Sequence, residues 1–310
     1  MLVFATSDKG GTGRSVTSCN IAYRLSLSGR NVAYVDFDFG SPTAGALFEI
    51  GSIERGISTE PGTHVSGVHN YLLGRNGSPA RVDVASNTDR TELKRTTQRA
   101  GRLVLLPGDE GGAEFLTCDE EMVERCVELL AALDQEFRVV VVDLSAGRSV
   151  ALEIALKATI QPALRRRTAR WLIFHRWTRQ HVLAAAGLVH GPNGFLEAGV
   201  EYGHTDAELL GSVRFVRTAV PTTVSYLSAD HPAQSTWLLE QDAALRRLAT
   251  ANRLGTTSVL GATPVEPVLQ WREQLVLDSD VNAHIAKAET TQAYIELARR
   301  LVDDTAWEML

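Results

Sequence analysis

Residues 3–15, Val-Phe-Ala-Thr-Ser-Asp-Lys-Gly-Gly-Thr-Gly-Arg-Ser, limit the fold more tightly than any other stretch of this 310-residue chain. An apolar run passes into a glycine-rich turn and then into a helical pattern. Glycines let backbone N–H groups turn inward onto an anion, and a helix starting there adds the positive end of its dipole. This is the layout of a phosphate-binding loop. The common pattern is G-x-x-x-x-G-K-[ST]; here Asp8 stands at its first glycine and Arg14 at its lysine.

Two further apolar runs end in carboxylates. Residues 31–40 lead into Asp36 and Asp38, and residues 138–147 lead through a run of valines into Asp143. Such runs suit parallel strands buried on both faces, and open α/β sheets bind ligands beyond the carboxyl ends of their strands. Three strand ends are therefore expected around one Mg-nucleotide. The expected architecture is α/β, a mostly parallel doubly wound sheet flanked by helices. Helices are expected over 16–28, 67–73, 120–135, 151–160, 179–189, 238–254 and 290–302. Strands are expected over 81–85, 103–108, 171–174, 213–217 and 260–263. Residues 51–66 read as an exposed loop. The chain reads as a single domain over 1–310, with a loop or insertion at 190–204, where four glycines and one proline fall.

Composition removes other classes. With 44% hydrophobic and 22% charged residues the chain is ordinary for a globular protein. No apolar run reaches membrane-spanning length, and no basic segment precedes an apolar core at the N-terminus, so a cytoplasmic location is expected. The three cysteines, Cys19, Cys118 and Cys126, lack C-x-x-C spacing, which argues against structural zinc or an iron–sulfur scaffold. A net charge of −6 gives no general basic footprint for nucleic acid. Local basic clusters at 165–170 and 90–102 read either as solvated faces or as nonspecific DNA contacts.

The order of lysine, loop, D-x-D and D-x-S-A-G resembles the ParA/MinD family of P-loop ATPases, the SIMIBI class with a deviant Walker A motif. Its pattern K-G-G-x-G-K-[ST]-[ST] is matched over residues 9–16, its D-x-D by Asp36 and Asp38, and its Walker B region by residues 143–147. Residues 260–267 resemble its last strand and nucleotide-base loop, and residues 293–301 its closing helix. The match is specific in these short stretches and poor over 155–255. The resemblance implies a P-loop NTPase fold with ATP and Mg²⁺ as cofactors. Lys9, Gly10, Gly11, Thr12, Gly13, Arg14, Ser15 and Val16 would then surround the phosphates. Ser15, Asp36 and Asp143 would serve the metal, and Asp38 would orient the attacking water. Lys9 would reach the nucleotide of a second subunit. Arg217, Pro264, Val265 and Glu266 would meet the base.

The same resemblance implies a homodimer with nucleotide at its interface and an unidentified protein partner. A membrane-binding C-terminal helix is not expected, because residues 303–310 are acidic. Two functions stay open: a Mg-ATP-dependent dimeric switch in partitioning, positioning or regulation, and a nucleotide-binding scaffold with little hydrolysis. Arg14 in place of lysine, Val16 in place of a hydroxyl residue, and Asp8 motivate the second. A P-loop kinase or amide-forming ligase is a third reading, for which residues 155–255 offer no recognisable substrate pocket.

Overall fold

The computed structural model describes residues 1–58, 65–97, 100–222 and 232–308. Its strands form one eight-stranded sheet in the order β3-β4-β2-β5-β1-β6-β7-β8. They are β1 (Leu2–Thr6), β2 (Val32–Phe37), β3 (Val82–Asp83), β4 (Leu103–Leu106), β5 (Val139–Leu144), β6 (Ala169–Arg176), β7 (Val213–Val220) and β8 (Val259–Pro264). All neighbours are parallel except the edge pair β3 and β4. Helix α1 (Arg14–Leu27) connects β1 to β2. These two strands do not pair with each other, because β5 lies between them. That placement brings the ends of β1, β2 and β5 side by side, with Ala5 and Asp36 both in register with Asp143.

Strand alternation explains why the runs read as continuously apolar. Leu2 and Phe4 pack on one face of β1, while Val3 and Ala5 pack on the other. The first face is covered by helices Glu120–Glu136, Val150–Thr159 and Arg179–His190, the second by α1 and helix Ala288–Leu301. Phe4 stacks on Trp171 of β6 with centroids 4.3 Å apart, tying the central strands together.

Several boundaries differ from the sequence reading. Helix Phe195–Tyr202 lies inside the stretch expected to be a loop or insertion. Gly199 is not a breaker there: a Cβ would come 2.5 Å from the Leu209 side chain, so glycine permits close helix packing. Gly203, with φ of +107°, ends the helix in the left-handed conformation. The expected strand at 81–85 shortens to Val82–Asp83, because the Asp83 side chain accepts from the Ser86 N–H and starts a helical turn. Of the 51–66 loop, residues 59–64 lie outside the described residues, and Gly51–Ile53 form a 3-10 turn.

Candidate nucleotide site

The loop after β1 is shaped by its glycines. Gly11 and Gly13 take φ of +69° and +73°, values that side-chain-bearing residues rarely adopt. Gly13 is the N-cap of α1, whose first turn carries no acidic residue. The N–H groups opening a helix have no partner within it, so Arg14, Ser15 and Val16 present theirs at the loop. Neighbouring strand ends hold the loop in place. The Gly147 N–H donates to the Ser7 carbonyl at 2.7 Å, and the Thr218 hydroxyl donates to the Thr12 carbonyl at 2.5 Å. Asp8 pairs with Arg148 at 3.3 Å, which directs its carboxylate to a cation outside the loop.

Beside the loop lies a cavity of about 440 Å³, lined among others by Gly11, Arg14, Ser15, Asp38, Glu114 and Glu273. A second, of about 300 Å³, shares Gly11, Thr12, Gly13 and Val16 with it. Its far side is formed by Arg176, Thr218, Pro264, Glu266, Gln270 and Tyr294. The pair of cavities thus wraps the loop, one at the carboxylate side and one toward β7 and β8.

Arg14 dominates the first cavity. Its Nε donates to Asp143 Oδ1 at 2.5 Å, and its Nη2 donates to Asp38 Oδ2 at 2.7 Å and toward Ser15 Oγ at 3.3 Å. Arg14 is 6% exposed and Asp143 is 2% exposed. Burial disfavours the charged guanidinium, yet Asp143 and Asp38 outweigh it and raise the Arg14 pKa. The second oxygen of Asp143 accepts from the Tyr34 hydroxyl at 2.9 Å. Both oxygens of this carboxylate are therefore in use.

Asp36 is placed differently from its expected metal role. Its Oδ1 accepts from the Asp38 N–H at 3.2 Å and its Oδ2 from the Ala44 N–H at 3.1 Å, so it braces the turn after β2. Burial, with Asp143 beside it, pushes its carboxyl up to about 8. Among the described residues no group of three or more His, Cys, Asp or Glu is arranged to hold a metal. A Mg²⁺ ion demands near-octahedral oxygen ligands at about 2.0–2.1 Å. The expected donors Ser15 and Asp143 contact the guanidinium instead, so the residues as arranged do not fit the ion.

The remaining expected residues divide. Lys9 is exposed, and its side chain has no ion-pair partner among the described residues. Gly10 and Val16 line the first cavity with the rest of the loop, and Pro264 and Glu266 line the second. Val265 lines neither; its N–H donates to the Val220 carbonyl. Arg217, expected near the base, has its guanidinium 4.2 Å over the Trp177 ring, donates to the Leu254 carbonyl and lines neither cavity. Strand alternation sends Arg217 one way and Thr218 to the loop. Arg176, not singled out in the sequence, lines the second cavity. It ends β6 two residues beyond the strand expected at 171–174, and the carboxyl-end rule would have pointed to it.

The basic clusters also divide. Arg170 is buried, paired with Asp304 and donating to the Leu301 carbonyl, and Arg167 pairs with Asp134. Arg90 pairs with Glu49 and Asp280, and Arg102 with Glu136. Arg99 lies outside the described residues. No helix among the described residues is long and apolar enough to cross a membrane. Near the C-terminus Trp307 is packed between Arg170 and Arg214.

A family model described as the CobQ/CobB/MinD/ParA nucleotide binding domain matches residues 3–303. No curated protein matches the chain. Solved structures share its fold at low identity. The MinC:MinD cell division protein complex of Aquifex aeolicus is 19% identical, with a TM-score of 0.59, covering 100% of this chain and 97% of that one. MinD of Pyrococcus horikoshii, complexed with Mg-ADP, is 14% identical with a TM-score of 0.52 over 100% of both chains. The pNOB8 ParA bound to nonspecific DNA is 13% identical with a TM-score of 0.55 over 99% of both.

Proposed function

Because the chain belongs to the CobQ/CobB/MinD/ParA nucleotide-binding family, we propose that it binds an adenine nucleotide at the 7–16 loop and acts as a nucleotide-responsive scaffold with little hydrolysis. Phosphates would sit in the first cavity on the loop N–H groups, and the base in the second, against Pro264 and Glu266. The observation that carries the low-turnover reading is the double ion pair of Arg14 with Asp38 and Asp143. The carboxylate expected to orient water is thereby engaged by a cation. The cation expected on the transferring phosphoryl group is turned toward carboxylates. Preorganised charge on that group is the main catalytic device of phosphoryl transfer.

The output would be a homodimer presenting a surface to a protein partner. Lys9 supports the dimer, since it is an exposed cation beside the loop with no ion pair among the described residues. MinC accompanies MinD in the Aquifex structure; here a partner of comparable role is part of the proposal. DNA binding receives less support, because Arg167, Arg170, Arg90 and Arg102 are engaged in ion pairs.

The test is ATP turnover of the purified chain together with light scattering in ADP and in a nonhydrolysable ATP analogue. Nucleotide binding with negligible turnover, and turnover rising on the order of tenfold or more in Arg14→Lys, is expected. Rapid turnover by the unsubstituted chain would instead establish the hydrolysing switch.

A further inference from the structure

An arginine in a phosphate loop has two possible postures. It can extend toward the phosphates as the usual lysine does, or fold back onto the strand ends. Arg14 folds back, and the groups it meets are informative. Ser15 Oγ, Asp143 Oδ1 and Asp38 Oδ2 lie at 3.3, 2.5 and 2.7 Å from its guanidinium nitrogens. The first two are the donors expected to serve a magnesium ion. The guanidinium is a planar, permanently charged fork that suits two carboxylates at once. It donates through Nε and Nη2, and Nη1 has no hydrogen-bond partner among the described residues. The residue also lines the first cavity, beside the loop N–H groups. A cation in this posture neutralises the strand-end carboxylates beside the loop, a task that a divalent ion held there would perform.

The donors as arranged do not serve both cations. A divalent ion would have to take Asp143 from a buried guanidinium whose other neighbour is Asp38, and Tyr34 already holds the second Asp143 oxygen at 2.9 Å. It would also stand against a like charge in a site where solvent screens little. Deprotonation offers no escape, because arginine stays charged.

We propose that Arg14 is the site's resident cation: it stands where a divalent metal would stand, so this chain takes up nucleotide without Mg²⁺ and admits no metal beside it. The inference rests on the nucleotide-binding reading above and states how that site handles charge. Lysine at position 14 would not reproduce it. An ammonium is a point charge that cannot span both carboxylates in a fixed fork, which releases oxygen donors for a metal.

The test uses the full chain, stripped of metal, with a fluorescent ADP analogue titrated in excess EDTA and in excess MgCl₂. The unsubstituted chain is expected to bind more tightly in EDTA than in MgCl₂, because Mg²⁺ competes for the nucleotide that the site takes up metal-free. Arg14→Lys is expected to bind about tenfold or more weakly in EDTA than in MgCl₂. In parallel, the sharp spin-resonance signal of a Mn²⁺–ADP mixture should rise on adding the unsubstituted chain, as ADP is withdrawn from the metal, and should fall on adding Arg14→Lys. Binding by the unsubstituted chain that requires MgCl₂, or protein-dependent loss of its Mn²⁺–ADP signal, would overturn the inference and leave the nucleotide-binding reading standing. Absence of binding in both buffers would overturn both. The comparison within the unsubstituted chain needs no variant, so a poorly folded Arg14→Lys would not remove the test.

Discussion

Arg14 and His175 show how far one buried cationic or titratable side chain depends on its neighbours. Arg14 is held charged by two carboxylates. His175, in β6 beside Trp177 and Phe215, has no ion-pair partner among the described residues. Its Nδ1 lies 3.1 Å from the Arg176 carbonyl, and its Nε2 is buried with no hydrogen-bond partner among the described residues. Burial lowers its pKa from 6.5 to about 4. The sign follows from linkage. Between about 6.5 and 4 the unfolded chain binds a proton that the folded chain refuses, so stability is complete above 6.5 and is lost as pH falls through that window. Denaturant unfolding should show a fall of about 3 kcal/mol from this group across the window. His175→Gln should flatten that acid limb whatever its effect at neutral pH. An acid limb unchanged in the variant would show that His175 does not titrate in this way.

At the scale of elements, close backbone approach decides what a position tolerates. Gly67 precedes helix Val68–Leu72, and its N–H donates to Asp109 at 2.7 Å. A Cβ there would lie 2.4 Å from the Gly108 carbonyl, while one at Gly77 would meet nothing within 4 Å. Gly67→Ala should therefore cost about 1–3 kcal/mol in urea unfolding, and Gly77→Ala should stay within about 0.5 kcal/mol. Equal effects at both sites would remove the steric account. Elements with strong periodicity or long apolar runs were legible in the sequence, among them β1, β2, β5 and helix Glu120–Glu136. Helix Phe195–Tyr202 was not, because a glycine that permits packing has the same letter as one that ends a helix. The site was legible in its loop and its carboxylates. Arg176 and Thr218 were hidden, because which of two adjacent residues faces a cavity depends on strand phase.

For the whole molecule, the loop lies where β1, β2 and β5 end together, and the exposed Lys9 has no ion pair among the described residues. If a second copy closes over the nucleotide, Lys9 supplies a charge-assisted contact across the interface. Lys9→Ala should then weaken the nucleotide-dependent dimer about tenfold or more, as measured by light scattering across a dilution series. Nucleotide affinity of the monomer should change little, because Lys9 lines neither cavity beside its own loop. An unchanged dimer would assign Lys9 to solvent.

Local signals along the chain already specify a doubly wound α/β protein around a glycine-rich loop. Apolar runs, glycine placement and terminal aspartates act locally, and each element carries its own signal. Which charges meet is set by long-range packing. Arg14, Asp38 and Asp143 are far apart in the chain, and nothing in their spacing distinguishes an arginine reaching a phosphate from one folded onto two carboxylates. That choice is made by the insertion of β5 between β1 and β2, which sets Asp143 beside the start of α1, and by the low-dielectric interior that makes an unpaired guanidinium or carboxylate there costly.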